Sequence, residues 1–144
     1  MAELIETHRG TVYPWQCDHM NHMNVMWYAG KFDEGTWNFF NHIGLSPSFL
    51  RDHGRGMAAV DQRIAYKSEL HAGDLVVVRA GVIEVRAKLV RFVQEMRNVE
   101  TDAVSAITVL AAVHMDTAAR KACPLPRHVA DKARACIVDY ALPW

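Results

Sequence analysis

The clearest pattern of apolar positions along the chain lies between residues 24 and 43. Apolar and small side chains recur there at steps of three and four, namely Val25, Tyr28, Ala29, Phe32, Thr36, Phe39 and Ile43. This spacing predicts one long helix with an apolar face. Asn24 is the predicted N-cap, and Gly44 is predicted to follow the last turn.

Two further features of this segment predict that the helix is mostly buried. Trp27, Trp37 and Phe40 widen the apolar surface beyond one stripe. Gly30 and Gly35 each cost a helix about 0.5–1 kcal/mol relative to alanine. Their presence therefore predicts a close approach to another backbone, such as a sheet that wraps around the helix.

The rest of the chain has the composition of β-strands. Residues 5–15 mix β-branched and aromatic side chains, with Pro14 near the end, and predict a first strand. Similar segments predict strands at 57–69, 75–85, 88–99 and 103–115. The short turns between them favour antiparallel neighbours in a meander.

Two of the apolar segments have an alternative interpretation, and two further segments are not predicted to be strands. The segments Leu75–Val78 and Ala103–Val113 are also compatible with helix, because short apolar runs do not distinguish the two. Residues 45–56 are rich in turn formers and are predicted to form a loop. Residues 129–138 are predicted to form a short terminal helix.

These elements predict an α+β fold with one long helix on an antiparallel sheet of about five strands. A chain of 144 residues without linkers or repeats is predicted to form one domain over residues 1–144. A lone helix cannot cover both faces of such a sheet, and an uncovered apolar face is unfavourable in water. We therefore expect an oligomer.

Charge and composition exclude several classes of partner. The 16 basic residues equal the 16 acidic ones, so no overall field attracts nucleic acid. No apolar run is long enough to span a membrane, and the first twenty residues do not look like a signal peptide. We therefore expect no nucleic-acid or membrane partner and a cytoplasmic location. Three cysteines without paired spacing predict reduced thiols.

Candidate chemistry lies at the predicted start of the long helix. Asp18 and His22 stand where free backbone N–H groups and the helix dipole can polarise a carbonyl oxygen. A carboxylate there can attack the carbonyl or activate water, as in a hydrolase. The alternatives are a turn or capping role for Asp18 and a structural tie for His22. His19 and His22 beside Asp18 could also bind a metal, but the remaining histidines show no paired spacing that nominates another fixed ligand, so we predict no metal.

These residues also carry a family resemblance. Asp18-x-x-x-His22-x-Asn24 followed by Tyr28, Gly73-Asp74 before an apolar strand, and Glu84-x-Arg86-x-Lys88 between later strands occur in order. Together they resemble the hotdog-fold acyl-CoA thioesterases of the 4-hydroxybenzoyl-CoA thioesterase-like group. The resemblance implies a hotdog fold, with edge-to-edge association into a homodimer or homotetramer and active sites at the subunit boundary. Asn21 departs from the glycine of many relatives, which predicts a differently shaped turn.

The resemblance also implies an activity and its residues. The expected reaction is hydrolysis of an acyl-CoA to the free acid and coenzyme A. Asp18 is the expected nucleophile or general base, with His22 and Asn24 as polar support. The backbone N–H groups of Val25 and Met26 form the expected oxyanion site. No cofactor is expected, since coenzyme A is part of the substrate.

Substrate-binding residues are expected in two places. Tyr28 and Trp27 are candidates for the acyl pocket, although aromatics at helical spacing are usually core. Arg86 and Lys88 flank Ala87 at a turn and could bind the phosphates of coenzyme A. The family has a third basic residue where this chain has Ala87, and a plain solvated turn is the alternative.

The nature of the acyl group and the reaction class leave alternatives open. Trp15-x-x-Asp18 and His22-Met23-Asn24 are shared with thioesterase modules attached to carnitine-degrading dehydrogenases, which adds a betainyl group to short, medium and aryl chains. Acyl carrier protein could replace coenzyme A. A non-catalytic acyl-CoA binding or sensing module and a hotdog dehydratase or hydratase are the alternative functions.

Overall fold

The computed structural model describes residues 1–144. Three α-helices and six β-strands follow one another in the order β1 (Ile5–Thr11), α1 (Val25–His42), α2 (Pro47–His53), β2 (Arg55–Tyr66), β3 (Leu75–Val85), β4 (Leu89–Asn98), β5 (Val104–Asp116), β6 (Lys121–Ala122) and α3 (Arg127–Ala135). A single 3₁₀ turn, Pro14–Gln16, separates β1 from the connection to α1. The predicted α+β class is confirmed.

The strands form one antiparallel sheet in the order β1, β3, β4, β5, β2, with the short β6 also paired to β5. The predicted meander is correct for β3, β4 and β5 but wrong for β2, which lies at the far edge beside β5. The connection 67–74 between β2 and β3 crosses the end of the sheet. Leu70 in this connection is fully buried, and its carbonyl accepts the Met23 N–H at 2.7 Å.

Helix α1 begins and ends where its capping residues predict. Asn24 Oδ1 accepts the Met26 N–H at 3.1 Å, which satisfies one of the unpaired donors of the first turn. Gly44 follows the helix with a φ of +97°, a conformation that glycine adopts without strain. The inner face of the sheet packs against one side of α1.

The prediction that α1 is mostly buried is wrong for the single chain. The sheet covers one face, and Val25 and Trp37 remain 57% and 47% exposed. Lys31, although it carries an ammonium group, is only 6% exposed, and its Nζ donates to the Thr11 carbonyl at 3.2 Å. Burial lowers the pKa of Lys31, with Glu34 acting in the opposite sense.

The two glycines of α1 differ in their surroundings. A Cβ added at Gly35 would lie 2.7 Å from Gln94 Oε1, so close packing against the sheet is confirmed there, although the neighbouring atoms belong to side chains and not to a backbone as predicted. A Cβ at Gly30 would meet nothing within 4 Å, so the prediction is wrong for that position.

Other boundaries differ because of local turn chemistry. The first strand ends at Thr11, since Pro14 begins the 3₁₀ turn. The predicted loop 45–56 contains α2, which Ser46 caps through its hydroxyl and which Gly54 ends with a φ of +60°. The helical alternatives for 75–78 and 103–113 are wrong, because both segments pair as strands.

The outer face of the sheet is covered by the two termini of the chain. Ala2, Leu4, Val138, Tyr140 and Leu142 pack on a cluster that contains Val93, Ile107 and Val109. The tail ends with the Trp144 ring over Arg63 of β2, with the Arg63 Cζ 4.5 Å from the ring centroid. The premise that one face of the sheet is left uncovered in the single chain is therefore wrong. Association into an oligomer itself stays a prediction.

None of the three helices is both long enough and apolar enough to cross a membrane. The three cysteines are unpaired, as the sequence predicts.

Candidate active site

Asp18 lies in the connection between the 3₁₀ turn and α1, with its carboxylate fixed at both oxygens. Oδ2 accepts the Asn24 side-chain N–H at 2.9 Å, and Oδ1 accepts the Met20 backbone N–H at 2.9 Å. The bond from Asn24 and then that from Met20 lower the pKa of Asp18 from its ordinary value of 3.8. The carboxylate is therefore ionised at neutral pH.

A tight turn returns the chain from Asp18 to His22. The Asp18 N–H donates to the His22 carbonyl at 3.2 Å, and the Asn21 N–H donates to the Asp18 carbonyl at 3.0 Å. Asn21 has a φ of +66°, the left-handed conformation that glycine would adopt and that asparagine tolerates best among other residues. Asn21 therefore has a backbone conformation that is open to glycine, and the expected difference from the turn of relatives stays a prediction.

The first turn of α1 presents one free backbone donor beside Asp18. The Met26 N–H is occupied by the Asn24 cap, whereas the Val25 N–H makes no hydrogen bond within the chain. Val25 is the first residue of the helix, where a backbone N–H has no intrahelical partner. Of the two predicted oxyanion donors, Val25 is thus the available one.

A cavity of about 240 Å³ lies between the start of α1 and the end of β2. It brings together four residues singled out from the sequence, Asp18, His22, Val25 and Tyr28. The other lining residues are Met23, Tyr66, Lys67, Ser68 and Glu69. The last four follow one another at the end of β2 and were not predicted, because no motif marks them before Gly73-Asp74.

Tyr28 forms the inner wall of the cavity. The residue is 4% exposed, and its ring meets Tyr66 edge to face, with 5.2 Å between ring centroids. Its hydroxyl donates to the Ser68 carbonyl at 3.4 Å. Burial, followed by the charges of nearby acidic groups, raises the pKa of Tyr28 to about 12. The hydroxyl is therefore a neutral group at neutral pH.

His22 faces a second acid rather than Asp18. Its Nε2 lies 3.7 Å from Glu69 Oε1, and it makes no hydrogen bond to the Asp18 carboxylate. A hydrogen bond between the His22 ring and the Asp18 carboxylate is thus absent from the single chain. Glu69 is an acid that the sequence did not single out.

The remaining predicted site residues lie outside the cavity. Trp27 is half-buried and packs against the core cluster that includes Tyr28. Trp15 is 67% exposed and stacks on Tyr13. No group of three or more His, Cys, Asp or Glu side chains is arranged to hold a metal ion.

Arg86 and Lys88 lie far from Asp18 in the same chain. They belong to the turn between β3 and β4, whereas the cavity lies near the start of β3. The 11 residues of β3 span roughly 33 Å. The Arg86 Nε donates to Glu84 Oε1 at 2.9 Å, while Lys88 makes no ion pair. These cations therefore do not line the Asp18 site of their own chain.

Several solved structures share this fold at low sequence identity. SAV2348 from Staphylococcus aureus, solved in complex with CoA, has a TM-score of 0.88 at 19% identity, covering 98% of this chain and 90% of its own. Slr0204, a 1,4-dihydroxy-2-naphthoyl-CoA thioesterase from Synechocystis, has a TM-score of 0.79 at 17% identity, covering 92% and 96%. YbaW, a probable thioesterase from Escherichia coli, has a TM-score of 0.76 at 19% identity, covering 91% and 98%.

Sequence comparison gives the family. Among proteins of curated function, none matches the chain significantly. A family model described as the thioesterase-like superfamily matches residues 12–133, which include the whole of the cavity and the turn that carries Arg86 and Lys88. The resemblance inferred from Asp18, His22 and Asn24 is thereby confirmed at the level of the family. With its long helix packed on an antiparallel sheet, the chain belongs to the thioesterase-like superfamily, whose characteristic reaction is thioester hydrolysis.

Proposed function

We propose that the protein is an acyl-CoA thioesterase that releases a free acid and coenzyme A, with Asp18 as nucleophile or general base. The observation that carries the proposal is the ionised Asp18 carboxylate in a cavity beside an unoccupied backbone donor, the Val25 N–H. A carboxylate beside the carbonyl serves attack or water activation, whereas a binding module gains little from it.

The start of α1 serves as the oxyanion site in this proposal. The developing negative charge on the carbonyl oxygen is stabilised by the Val25 N–H and by the positive end of the helix dipole. Met26 contributes through the same end of the helix, although its N–H is held by Asn24. Asn24 orients Asp18, and Tyr28 forms the wall against which the acyl group lies.

The coenzyme A part of the substrate extends out of the cavity. SAV2348 was solved with CoA, and Slr0204 is named for a CoA thioester, which supports the same thiol carrier here. Because Arg86 and Lys88 are distant from Asp18 in one chain, we assign their phosphate contact to a site on another copy. This assignment requires association of the chains, and we propose a homodimer or homotetramer. We also propose a cytoplasmic location and no cofactor.

The test is release of free thiol from a panel of short, medium, aryl and betainyl acyl-CoAs. We expect the wild type to release thiol and Asp18→Asn to lose at least 100-fold in kcat, the lower end of what a general base contributes. Asp33→Asn is the matched control, since Asp33 is an exposed acid of α1 outside the cavity. Full activity of Asp18→Asn would refute the assignment.

The same panel distinguishes the two alternatives. A dehydratase or hydratase forms or consumes an enoyl absorbance without releasing thiol. A binding module retains acyl-CoA without any turnover. Acyl carrier protein thioesters are a further arm, and turnover of these alone would change the thiol carrier but not the chemistry.

A further inference from the structure

The cavity contains a second carboxylate that the proposed chemistry has not used. Glu69 stands between two imidazoles, with Oε1 at 3.7 Å from His22 Nε2 and Oε2 at 3.9 Å from His71 Nε2. The two rings meet edge to face, with 6.5 Å between their centroids. Glu69 and His22 line the cavity, whereas His71 does not.

The backbone fixes Glu69 relative to the Asp18 turn. The next residue, Leu70, is fully buried and accepts the Met23 N–H at 2.7 Å. The preceding residue, Ser68, accepts the Tyr28 hydroxyl at 3.4 Å. Both neighbours of Glu69 are therefore tied to the segment that carries Asp18 and His22, so the acid is held at the cavity by the fold.

Asp18 is better suited to attack than to proton transfer. Both of its oxygens accept hydrogen bonds, which stabilise the charged form. A general base is most effective when it titrates near the working pH, and a carboxylate stabilised in this way is far from that condition. An imidazole titrates in the neutral range. The division of roles thus favours Asp18 as nucleophile and His22 as base.

We propose that Glu69 is a positioning residue that holds the Nε2–H of His22 and leaves Nδ1 as the base for the water that regenerates Asp18. The inference rests on the proposed thioesterase function. A carboxylate behind one ring nitrogen fixes the tautomer and makes the other nitrogen an acceptor. The His22 ring makes no hydrogen bond within the chain, and Glu69 is the acid within ion-pair distance of its Nε2. Such pairs are often long before substrate binds and shorten in the complex.

An Asp18 oxygen bonds to the thioester carbonyl carbon, the carbon–sulfur bond breaks, and the thiolate leaves with the electron pair, giving an acyl anhydride on Asp18. Water then bonds to the acyl carbon and gives one proton to His22 Nδ1. The bond between that carbon and the Asp18 oxygen breaks, which restores the carboxylate. The His22 proton passes to solvent.

Five ionisable groups besides Glu69 share this region with His22. Asp18, Lys67 and Tyr66 line the same cavity, His71 lies beyond Glu69, and the neutral Tyr28 forms the wall. Only Glu69 approaches the His22 ring within ion-pair distance. Replacing Glu69 is therefore the change that isolates this pair.

The first experiment compares Glu69→Gln with the wild type in kcat and in its pH profile. We expect kcat to fall by about 10-fold, which is less than the roughly 100-fold cost of losing a general base because His22 itself remains, and the acidic limb to move to lower pH because the imidazolium loses its neighbouring anion. The acyl group should also accumulate on Asp18, detected by the mass of the quenched protein. His71→Gln, which touches the other Glu69 oxygen outside the cavity, should leave all three readouts unchanged.

A wild type that releases no thiol would overturn the proposed function itself. An active wild type matched by Glu69→Gln in rate, profile and acyl-enzyme level would overturn only the role of Glu69. A second measurement needs no activity. The NMR titration midpoint of the His22 ring should be lower in Glu69→Gln than in the wild type, and equal midpoints would refute the pair even if Glu69→Gln folded poorly enough to lose activity.

Discussion

The Asn24 side chain links the first turn of α1 to the Asp18 carboxylate. Its Oδ1 accepts the Met26 N–H at 3.1 Å, and its Nδ2 donates to Asp18 Oδ2 at 2.9 Å. One residue therefore stabilises the helix start and lowers the pKa of the acid. The same residue thereby couples local stability to the protonation state of the site.

Asn24→Ala should show both effects separately. We expect a loss of about 1 kcal/mol in unfolding free energy from the cap, measured by urea unfolding. We also expect the pKa of Asp18 to rise, measured by carbon NMR of its carboxyl group. Since that pKa is lowered in the folded state, its contribution to stability is present above 3.8 and is lost as the pH falls through the folded value.

Asn38→Ala is the matched control for this change. Asn38 is exposed on the same helix, and its Nδ2 donates only to the Glu34 carbonyl at 3.1 Å. It should leave the Asp18 titration unchanged. An unchanged Asp18 titration in Asn24→Ala would mean that the Asn24 bond does not stabilise the carboxylate.

At the scale of the element, the two glycines of α1 predict opposite responses to the same substitution. Gly30→Ala should stabilise the protein by about 0.5–1 kcal/mol, because the position is open and alanine favours helix. Gly35→Ala should destabilise it by about 1–3 kcal/mol, because the new Cβ would lie 2.7 Å from Gln94 Oε1. Denaturant unfolding measures the change in unfolding free energy for each variant. Changes of the same sign would contradict the packing of α1 on β4.

The sequence predicted those elements whose signals are local. Periodicity with Asn24 and Gly44 located α1, and strand composition located β3 within its observed bounds, Leu75–Val85. The short helix α2 was missed although Ser46, Pro47 and Gly54 are typical capping signals. A segment of seven helical residues is too short for periodicity to outweigh its turn-forming composition.

Features that depend on distant contacts could not be predicted from the sequence. The edge position of β2 depends on pairing with β5, which follows it by more than thirty residues. Burial of Lys31 depends on the Thr11 carbonyl across the β1 contact. Glu69 reaches the cavity only because the connection after β2 contacts Met23 and Tyr28 at the start of α1, so Asp18 and His22 were evident while their neighbour was not.

At the scale of the whole molecule, the two predicted parts of the substrate site lie at opposite ends of the sheet. The cavity lies near the start of β3, and the Arg86 and Lys88 turn lies at its end, roughly 33 Å away by strand length. A contact between this turn and the phosphates of a substrate at Asp18 therefore requires a second copy of the chain.

Mixed oligomers test this requirement. Subunits with Asp18→Ala are combined with subunits that carry Arg86→Glu and Lys88→Glu. We expect the mixture to show acyl-CoA hydrolysis with a low KM that neither parent shows, since an intact Asp18 then meets intact cations of a partner. Acyl-pantetheine, which lacks the nucleotide phosphates, should show no such difference in KM.

Contacts within one chain would give the opposite result. The mixture would then contain only inactive sites and sites with a high KM. Charge reversal that raises KM equally for acyl-CoA and acyl-pantetheine would instead argue against any phosphate contact.

The path of the C-terminal tail also determines where a purification tag can be placed. Trp144 lies over Arg63 of β2, one of the two edge strands of the sheet, so a tag fused after Trp144 begins beside that edge. Met1 is 92% exposed and lies on the side of β1 and β3. A tag at the N-terminus is therefore the one that leaves the β2 edge clear when association between chains is measured.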